Sequence, residues 1–240
     1  MNLSSIIAPS FYEVHKYLKQ NKYTHYWLAG GRASTKSSFI SIELILGMML
    51  HPEANAVVLR KISNTLKDSV FNQLLWAIEK LGVEQYWTIT KSPLELTYIP
   101  YGNKILFRGS DDPQKLKSTK FRKGYCRYIW YEEVSEFFGM EEIRNINQTL
   151  MRGGETFNVF YSYNPPKSVN NWVNAEALEV RDDKLFHKST YLTVPREWLG
   201  EMFFIEANHL KQTNELAYRN EYLGEATGTG GAVFTNLTIR

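Results

Sequence analysis

The fold is decided by residues 23–46, which read YTHYWLAGGRASTKSSFISIELIL. The first seven residues of this stretch are aromatic and apolar, as expected of a buried strand. Small residues follow at positions 30–35, and this composition is typical of a turn. From Lys36 onward, apolar side chains are dense enough for a buried helix. A strand, a glycine turn, a Lys-Ser pair and a helix, in this order, indicate a phosphate-binding loop.

The chemistry of such a loop assigns roles to its residues. Backbone N–H groups of the turn converge on anionic oxygens, and the N-terminus of the helix adds its positive dipole end. Lys36 would reach the β- and γ-phosphates of a nucleotide, and the Ser37 hydroxyl would bind Mg²⁺. The predicted ligands are therefore a nucleotide with β- and γ-phosphates and Mg²⁺. The predicted nucleotide-binding residues are Gly30, Gly31, Arg32, Ala33, Ser34, Thr35, Lys36 and Ser37.

The loop departs from the usual G-x-x-x-x-G-K-[ST] pattern at its second glycine. With Gly30 as the first glycine, Thr35 occupies that position. Because Thr35 is β-branched, we expect it to have a negative φ and to approach phosphate slightly differently. The alternative interpretation is an ordinary Gly-Gly turn before a helix, with Lys36 in solvent.

Composition limits the class of protein without deciding it. The chain has 240 residues, of which 43% are hydrophobic and 22% charged, as in ordinary globular proteins of one large or two small domains. The net charge of +3 is too small to establish a nucleic-acid partner. The single cysteine, Cys126, excludes an intrachain disulfide. No apolar run approaches the roughly 18 residues of a membrane span, so we expect no membrane partner.

Strand and helix patterns alternate along the chain, which predicts an α/β fold. The expected architecture is a mostly parallel sheet between helices, with a short β-hairpin at residues 94–108 whose turn lies at 100–103. Tyr17, Lys22 and Tyr23 stand just upstream of the phosphate loop, where side chains often contact a nucleotide base. Plain packing against the sheet is the expected role of all three, and contact with a base is the alternative.

Two carboxylates follow another predicted strand. Residues 128–131 read YIWY and run directly into Glu132 and Glu133, with Glu132 in the place that a Walker B motif gives to aspartate. Glu132 would hold Mg²⁺ through water, and Glu133 would polarise the attacking water as general base. Both can face one site only if the strand ends there and the chain turns, because adjacent strand residues point to opposite faces. The alternative is the start of a surface loop.

Asn164, which follows the next predicted strand at residues 157–163, is a third candidate. A polar side chain in this place can hydrogen-bond the γ-phosphate or the attacking water and couple hydrolysis to moving parts. The alternative is an Asn-Pro turn that only begins a loop.

The most polarised segment of the chain is residues 115–127, which contain six basic residues and no acidic one. The basic residues are Lys115, Lys117, Lys120, Arg122, Lys123 and Arg127. A solvated loop is one interpretation of this segment. The others are contact with a DNA backbone and donation of an arginine to the active site of a neighbouring subunit.

Together, the segments GGRASTKSS, YIWYEEVSEF and FYSYNPP resemble the large terminase subunits of tailed bacteriophages. The first is similar to the modified phosphate loop of that family, the second to its Walker B strand and catalytic glutamate, and the third to its coupling motif. The resemblance implies a P-loop ATPase fold of the additional-strand catalytic-glutamate type. It also implies that Arg32 contacts the γ-phosphate.

The same resemblance implies a function and partners. The protein would be an ATP-driven motor that pumps double-stranded DNA into a procapsid in the host cytoplasm. Its expected partners are the DNA, the portal protein, the small terminase subunit and further copies of itself in a ring. In such a ring an arginine of a neighbouring subunit would complete each site, and Arg122 or Arg108 is a candidate by position. We expect weak ATP turnover without these partners.

The family's second domain, an RNase-H-like nuclease, is expected to be absent from this chain. Such a nuclease needs several carboxylates around two metal ions, and no Asp follows Asp183. The predicted division is residues 1–225 for the ATPase motor domain and 226–240 for a linker toward the nuclease. No nuclease activity is therefore expected.

Two other functions fit parts of the pattern. A helicase-like nucleic-acid translocase would use the same loop, but it should carry a second RecA-like domain, for which 240 residues barely suffice. A non-catalytic nucleotide-binding or assembly module would have a degenerate loop. The substitution Glu133→Gln separates the last case, because it abolishes hydrolysis only if Glu133 is the general base.

Overall fold

An eight-stranded sheet forms the centre of the computed structural model, which describes residues 3–228. The strands are β1 His25–Gly30, β2 Ala54–Arg60, β3 Trp87–Lys91, β4 Leu94–Tyr98, β5 Asn103–Gly109, β6 Tyr125–Glu132, β7 Asn158–Tyr163 and β8 Lys184–Ser189. The helices are α1 Tyr12–Lys19, α2 Lys36–Leu50, α3 Asn72–Leu81, α4 Pro113–Lys117, α5 Met140–Leu150, α6 Trp172–Leu178, α7 Arg196–Leu199, α8 Glu201–Thr213 and α9 Glu215–Glu221. Within residues 3–228, no helix is long and apolar enough to cross a membrane.

The order of the strands places the predicted motifs side by side. The order is β3-β4-β5-β2-β6-β7-β1-β8, and the strands from β5 to β8 in this order run parallel. β4 pairs antiparallel with β5, which confirms the predicted hairpin, and β3 extends it. β7 lies between β1, which leads into the predicted phosphate loop, and β6, which ends in Glu132. This inserted strand confirms the predicted α/β fold of the additional-strand type.

Alternate residues of the central strands face two separate cores. In β6, Tyr128 and Trp130 pack on the side of α2 and α3, while Ile129 and Tyr131 pack on the side of α5 and α6. All four side chains are buried. Strands of parallel sheets are covered on both faces in this way, which is why they appear as continuous apolar runs. Because β1, β6 and β7 are adjacent and parallel, their carboxyl ends meet at one edge of the sheet.

The chain after β8 forms a small third cluster next to the predicted phosphate loop. Tyr191, Ala207 and Tyr218 are buried together, and Ala33 of the loop packs against them. The hydroxyls of Tyr191 and Tyr218 are hydrogen-bonded to each other at 2.8 Å. The helices α8 and α9 are therefore anchored beside the loop.

The predicted linker, residues 226–240, lies largely outside the described residues. Within the described part, the Gly228 N–H donates to the Lys167 carbonyl at 2.7 Å, and the Val169 N–H donates to the Gly228 carbonyl at 3.0 Å. The first residues of this segment are therefore attached to the domain by backbone hydrogen bonds. The division at residue 225 stays a prediction.

Candidate active site

The loop between β1 and α2 has an unusual backbone. β1 ends at Gly30 and α2 begins at Lys36, and between them Ala33 and Thr35 have positive φ angles of 57° and 60°. The expected negative φ of Thr35 is therefore wrong. Thr35 takes the left-handed conformation that glycine adopts freely and that costs a residue with a Cβ about 1–2 kcal/mol. Such conformations cluster at functional sites, where the surrounding structure holds them in place.

The loop carries two buried hydroxyl groups that have no hydrogen-bond partner within residues 3–228. The hydroxyls of Ser34 and Thr35 are buried and make no hydrogen bond to any described residue. Gly30 closes tightly on the same region: a Cβ there would lie 2.5 Å from Ser34 Oγ and 2.7 Å from the Ser189 carbonyl oxygen. Buried polar groups are normally paired, so these two hydroxyls have hydrogen-bonding capacity that residues 3–228 do not use.

Lys36 and Asn164, which are far apart in the sequence, meet beside the loop. Lys36 is only 8% exposed, and its Nζ donates to Asn164 Oδ1 at 2.5 Å and to the Gly30 carbonyl at 3.4 Å. Burial lowers the pKa of Lys36, and the nearby carboxylates of Glu133 and Glu132 oppose that shift. The alternative of a solvated lysine is wrong, because this ammonium group is held inside the protein.

The chain turns where β6 ends. This turn is the condition under which the neighbouring carboxylates of Glu132 and Glu133 can face the same site. Glu132 is the last residue of the strand, and Glu133 has φ 50° and ψ 52°, in the left-handed region. Both carboxylates act on the pKa of Lys36. The structure thus brings Lys36, Asn164 and the two carboxylates together at the carboxyl ends of three adjacent strands.

Arg60, at the end of β2, is a further residue of the site and was missed by the sequence analysis. Its Nε lies 3.0 Å from Glu132 Oε2, and its Nη2 lies 3.8 Å from Glu136 Oε1. The contact with Glu132 is an ion pair without hydrogen-bond geometry, since neither atom has a hydrogen-bond partner among the described residues. Burial raises the pKa of Glu132 to about 7, Arg60 opposes this shift, and Glu133 adds to it. The available signal was the position of Arg60 directly after the apolar strand NAVVL.

Two side chains near the phosphate loop carry oxygen atoms of the kind that bind Mg²⁺ in nucleotide sites. Mg²⁺ is usually held by one or two carboxylates, several waters and the phosphates of a substrate. Glu132 Oε2 is buried and has no hydrogen-bond partner in residues 3–228. Ser37 lies in the first turn of α2, next to Lys36. Glu132 and Ser37 are therefore the side chains that would hold the ion.

The three arginines predicted for catalysis have different surroundings. Arg32 is 67% exposed, and its Nε lies 3.8 Å from Glu221 Oε2. Arg122 is exposed. Arg108 is half-buried, and its Nε donates to Thr119 Oγ1 at 3.3 Å. Of the two candidates for the site of a neighbouring subunit, Arg122 has the more accessible side chain.

The residues considered for contact with a nucleotide base lie at the opposite edge of the sheet. Tyr17, Lys22 and Tyr23 precede β1, whereas the loop follows it, and the six residues of this strand span about 20 Å. Lys22 Nζ lies 4.2 Å from the centre of the Tyr17 ring and 5.2 Å from that of Tyr23. The three residues form a local cluster at the start of β1, as the expected packing requires, and not at the loop.

A cavity of about 350 Å³ lies beside Thr35 at the start of α2. Its walls include Ile7 from the N-terminal segment, Phe39 from α2, Trp76 from α3 and Trp198 near the end of α7. Apolar and aromatic walls next to a few polar groups are usual for small-molecule sites. No local pattern marks this cavity, because its walls come from elements that are remote in the sequence.

The fold is that of P-loop nucleoside triphosphatases, with an additional strand between the phosphate-loop strand and the strand of the carboxylates. The family model of the phage terminase large subunit matches residues 22–225. The large terminase subunit of Bacillus phage SPP1 is 43% identical in an alignment of 245 residues, gaps included. This alignment covers 100% of this chain and 57% of that relative. The chain belongs to the phage terminase large subunit family. It spans a little over half the length of this relative.

Solved structures agree on the fold. The large terminase of a thermophilic bacteriophage matches with a TM-score of 0.73 at 13% identity, over 91% of this chain and 53% of that chain. The same terminase in complex with ADP matches with a TM-score of 0.68 at 14% identity, with the same two coverages. The ATPase domain of the Thermus phage P74-26 large terminase matches with a TM-score of 0.61 at 14% identity, over 88% of this chain and 92% of that domain.

Proposed function

We propose that the chain is the ATPase part of a terminase large subunit, which hydrolyses ATP to drive double-stranded DNA into a procapsid. The observation that carries the proposal is the meeting of Lys36, Asn164, Glu132 and Glu133 at the carboxyl ends of three parallel strands. Ligands of open α/β sheets bind at this edge. Membership of the terminase family supports the proposal, as does the ADP complex of the related terminase.

The loop supplies the contacts to the phosphates. Backbone N–H groups at the start of α2 and the positive end of this helix would bind the phosphate oxygens, and the Lys36 ammonium would bind the β- and γ-phosphates. The buried hydroxyls of Ser34 and Thr35 are further donors. Arg32 moves from Glu221 to the γ-phosphate, because an exposed ion pair holds it only weakly.

Hydrolysis requires a base for the attacking water and neutralisation of the phosphate charge. Ser37 and Glu132 would hold Mg²⁺, whose charge offsets that of the β- and γ-oxygens. Glu133 takes a proton from the attacking water while the oxygen of that water forms a bond to the γ-phosphorus. The bond between the γ-phosphorus and the oxygen that bridges it to the β-phosphate breaks. ADP and phosphate leave. Asn164 couples this step to the segment after β7, because a γ-phosphate competes with its amide oxygen for Lys36.

The cavity beside Thr35 holds the nucleotide base between apolar and aromatic walls. Trp198→Ala should raise the Kd for ATP about tenfold, because loss of a stacked aromatic ring costs roughly 1–3 kcal/mol per base. Calorimetry measures this change. Inorganic triphosphate, which has no base, is the matched ligand, and its Kd should stay within about twofold of wild type. Equal changes in the Kd values of ATP and inorganic triphosphate would mean that the base does not bind in this cavity.

The assembled motor adds partners that the family resemblance implies. Arg122 completes the site of a neighbouring copy in a ring, since its side chain is exposed while that of Arg108 is hydrogen-bonded within its own subunit. The exposed basic residues between Lys115 and Lys123 suit the phosphates of double-stranded DNA, whereas Arg127 is buried and donates to Asn21 Oδ1 at 2.8 Å. The portal protein and the small terminase subunit are the other proposed partners, and the host cytoplasm is the proposed place of action.

ATP turnover in the presence of Mg²⁺ tests this function. The chain should hydrolyse ATP slowly, at a rate per subunit that rises with chain concentration and with added double-stranded DNA, because neighbours supply an arginine. Arg122→Ala should remove the dependence on concentration, and Arg108→Ala, the matched control, should keep it. Absence of Mg²⁺-dependent turnover under all these conditions would contradict the ATPase. A rate per subunit that does not depend on concentration would contradict only the role of Arg122.

A further inference from the structure

The turn that follows α9 lies directly on the phosphate loop. The Glu221 carbonyl accepts a hydrogen bond from the Arg32 N–H at 2.7 Å. The Tyr222 carbonyl approaches Gly31 so closely that a Cβ on Gly31 would lie 2.2 Å from its oxygen. Gly224, at φ 62°, is equally close, since a Cβ there would lie 2.7 Å from the Gly31 nitrogen. The two backbones are therefore fitted to each other without side chains between them.

The side chain of Asn220 joins this turn to the segment that follows β7. Asn220 is 9% exposed, and its Nδ2 donates to the Pro165 carbonyl at 3.0 Å and to the Glu225 carbonyl at 2.7 Å. Pro165 directly follows Asn164, whose Oδ1 accepts from Lys36. One buried amide thus connects the residue after Asn164 with the chain that leaves α9, and this chain lies on the phosphate loop.

This position requires the amide group rather than a side chain of a given volume. The Nδ2 group of Asn220 serves two carbonyls from different segments, and an amide nitrogen has two hydrogen atoms to donate. Aspartate has the same shape, but it would place a carboxylate oxygen, which accepts hydrogen bonds, opposite these two carbonyl oxygens. Leaving buried acceptors unpaired costs more than the net value of one hydrogen bond. A packing role and a hydrogen-bonding role are therefore separable by substitution.

We propose that Asn220 is a positioning residue for ATP hydrolysis, which fixes the Pro165 carbonyl, and with it Asn164, relative to the phosphate loop. The inference rests on the proposed ATPase function. With Asn220 in place, Asn164 stays within hydrogen-bonding distance of Lys36 and beside a γ-phosphate bound at the loop. Without it, Pro165 is no longer tied to the turn after α9, and Asn164 loses its fixed distance from Lys36.

Kinetics give the first test. Asn220→Asp should lower kcat about tenfold and keep the KM for ATP within about threefold of wild type, because the phosphate contacts stay intact while Asn164 is displaced. Asn220→Ala should change kcat in the same direction. The matched control is Asn214→Asp on the same helix, since Asn214 caps α9 by accepting the Ala217 N–H and aspartate caps equally well. Wild-type kcat in both Asn220 variants would overturn the proposal.

A double variant separates positioning from a general loss of stability. If Asn220 acts through Asn164, the combination of Asn220→Asp with Asn164→Ala should be no slower than Asn164→Ala alone, because the two effects share one interaction. Losses that multiply would show that Asn220 acts independently of Asn164, and the proposal would then be wrong.

Amide hydrogen exchange gives a readout that does not depend on turnover. Asn220→Asp should increase exchange in residues 167–171 about tenfold, while β7 and the Asn214→Asp protein stay as in wild type. Unchanged exchange in residues 167–171 would overturn the proposal whatever happens to kcat. If the wild-type protein does not hydrolyse ATP but exchange is faster in Asn220→Asp, the hydrogen-bonded connection through Asn220 is supported. The proposed function is then contradicted.

Discussion

Glu133→Gln should lower the rate of ATP hydrolysis by about 100- to 1,000-fold and leave ATP affinity nearly unchanged. Glutamine keeps the shape of the side chain but cannot take a proton from the attacking water. The left-handed backbone of Glu133, at φ 50°, is set by the turn after β6 and does not depend on the charge. Phosphate release measures the rate, and calorimetry measures the affinity.

Glu136→Gln is the matched control for this experiment. Glu136 lies in the 3₁₀ turn that follows Glu133, and its carboxylate is 3.8 Å from Arg60. This variant should keep at least about half of the wild-type rate, since half-exposed ion pairs contribute little. Equal rates in Glu133→Gln and wild type would refute the general base and favour a non-catalytic nucleotide-binding module.

Lys36→Ala should weaken ATP binding by more than about 100-fold, because charge-assisted hydrogen bonds between a buried ammonium and phosphate oxygens are lost. Burial already disfavours the charge on Lys36, whose pKa is lowered. The unfolding of this variant in urea is compared with that of wild type, so that a loss of binding is distinguished from a loss of folding. Calorimetry with ATP and Mg²⁺ measures the affinity, and circular dichroism in urea measures the stability.

Lys61→Ala serves as the control for Lys36→Ala. Lys61 pairs with Glu142 at 2.7 Å and lies outside the phosphate loop, so its loss should leave the Kd for ATP unchanged. Wild-type affinity in Lys36→Ala would mean that the loop does not bind the phosphates. Absence of binding in every protein at millimolar ATP would mean that the loop needs ring neighbours or is only a turn before a helix.

Sequence patterns predicted those parts of the structure that have local causes. The apolar run before Gly30 and the run before Glu132 each became a buried parallel strand. Because parallel strands end at a common edge, the polar residue after each run was predictable as a neighbour of the others. The hairpin was equally local, since its turn lies between β4 and β5.

The features that were predicted wrongly or not at all depend on contacts between segments that are distant in the sequence. The φ of Thr35 follows from closing the loop between β1 and α2, and this closure overrides the preference of a β-branched residue. The ion pair of Arg60 with Glu132 exists because β2 lies beside β6. The contact of Glu221 with the phosphate loop joins segments that are distant in the sequence, and no local residue pattern predicts it.

The pairing of β1, β7 and β6 limits where sequences of this family can change in length. Leu28, Ser162 and Glu132 stand side by side across these three strands. One residue inserted or removed within a strand shifts its end by about 3.3 Å and turns every following side chain to the opposite face. Lys36, Asn164 or Glu132 would then leave the site. We therefore expect insertions and deletions in related chains only in the connections between motifs, and the stretch from each strand to the motif at its end to keep a fixed length.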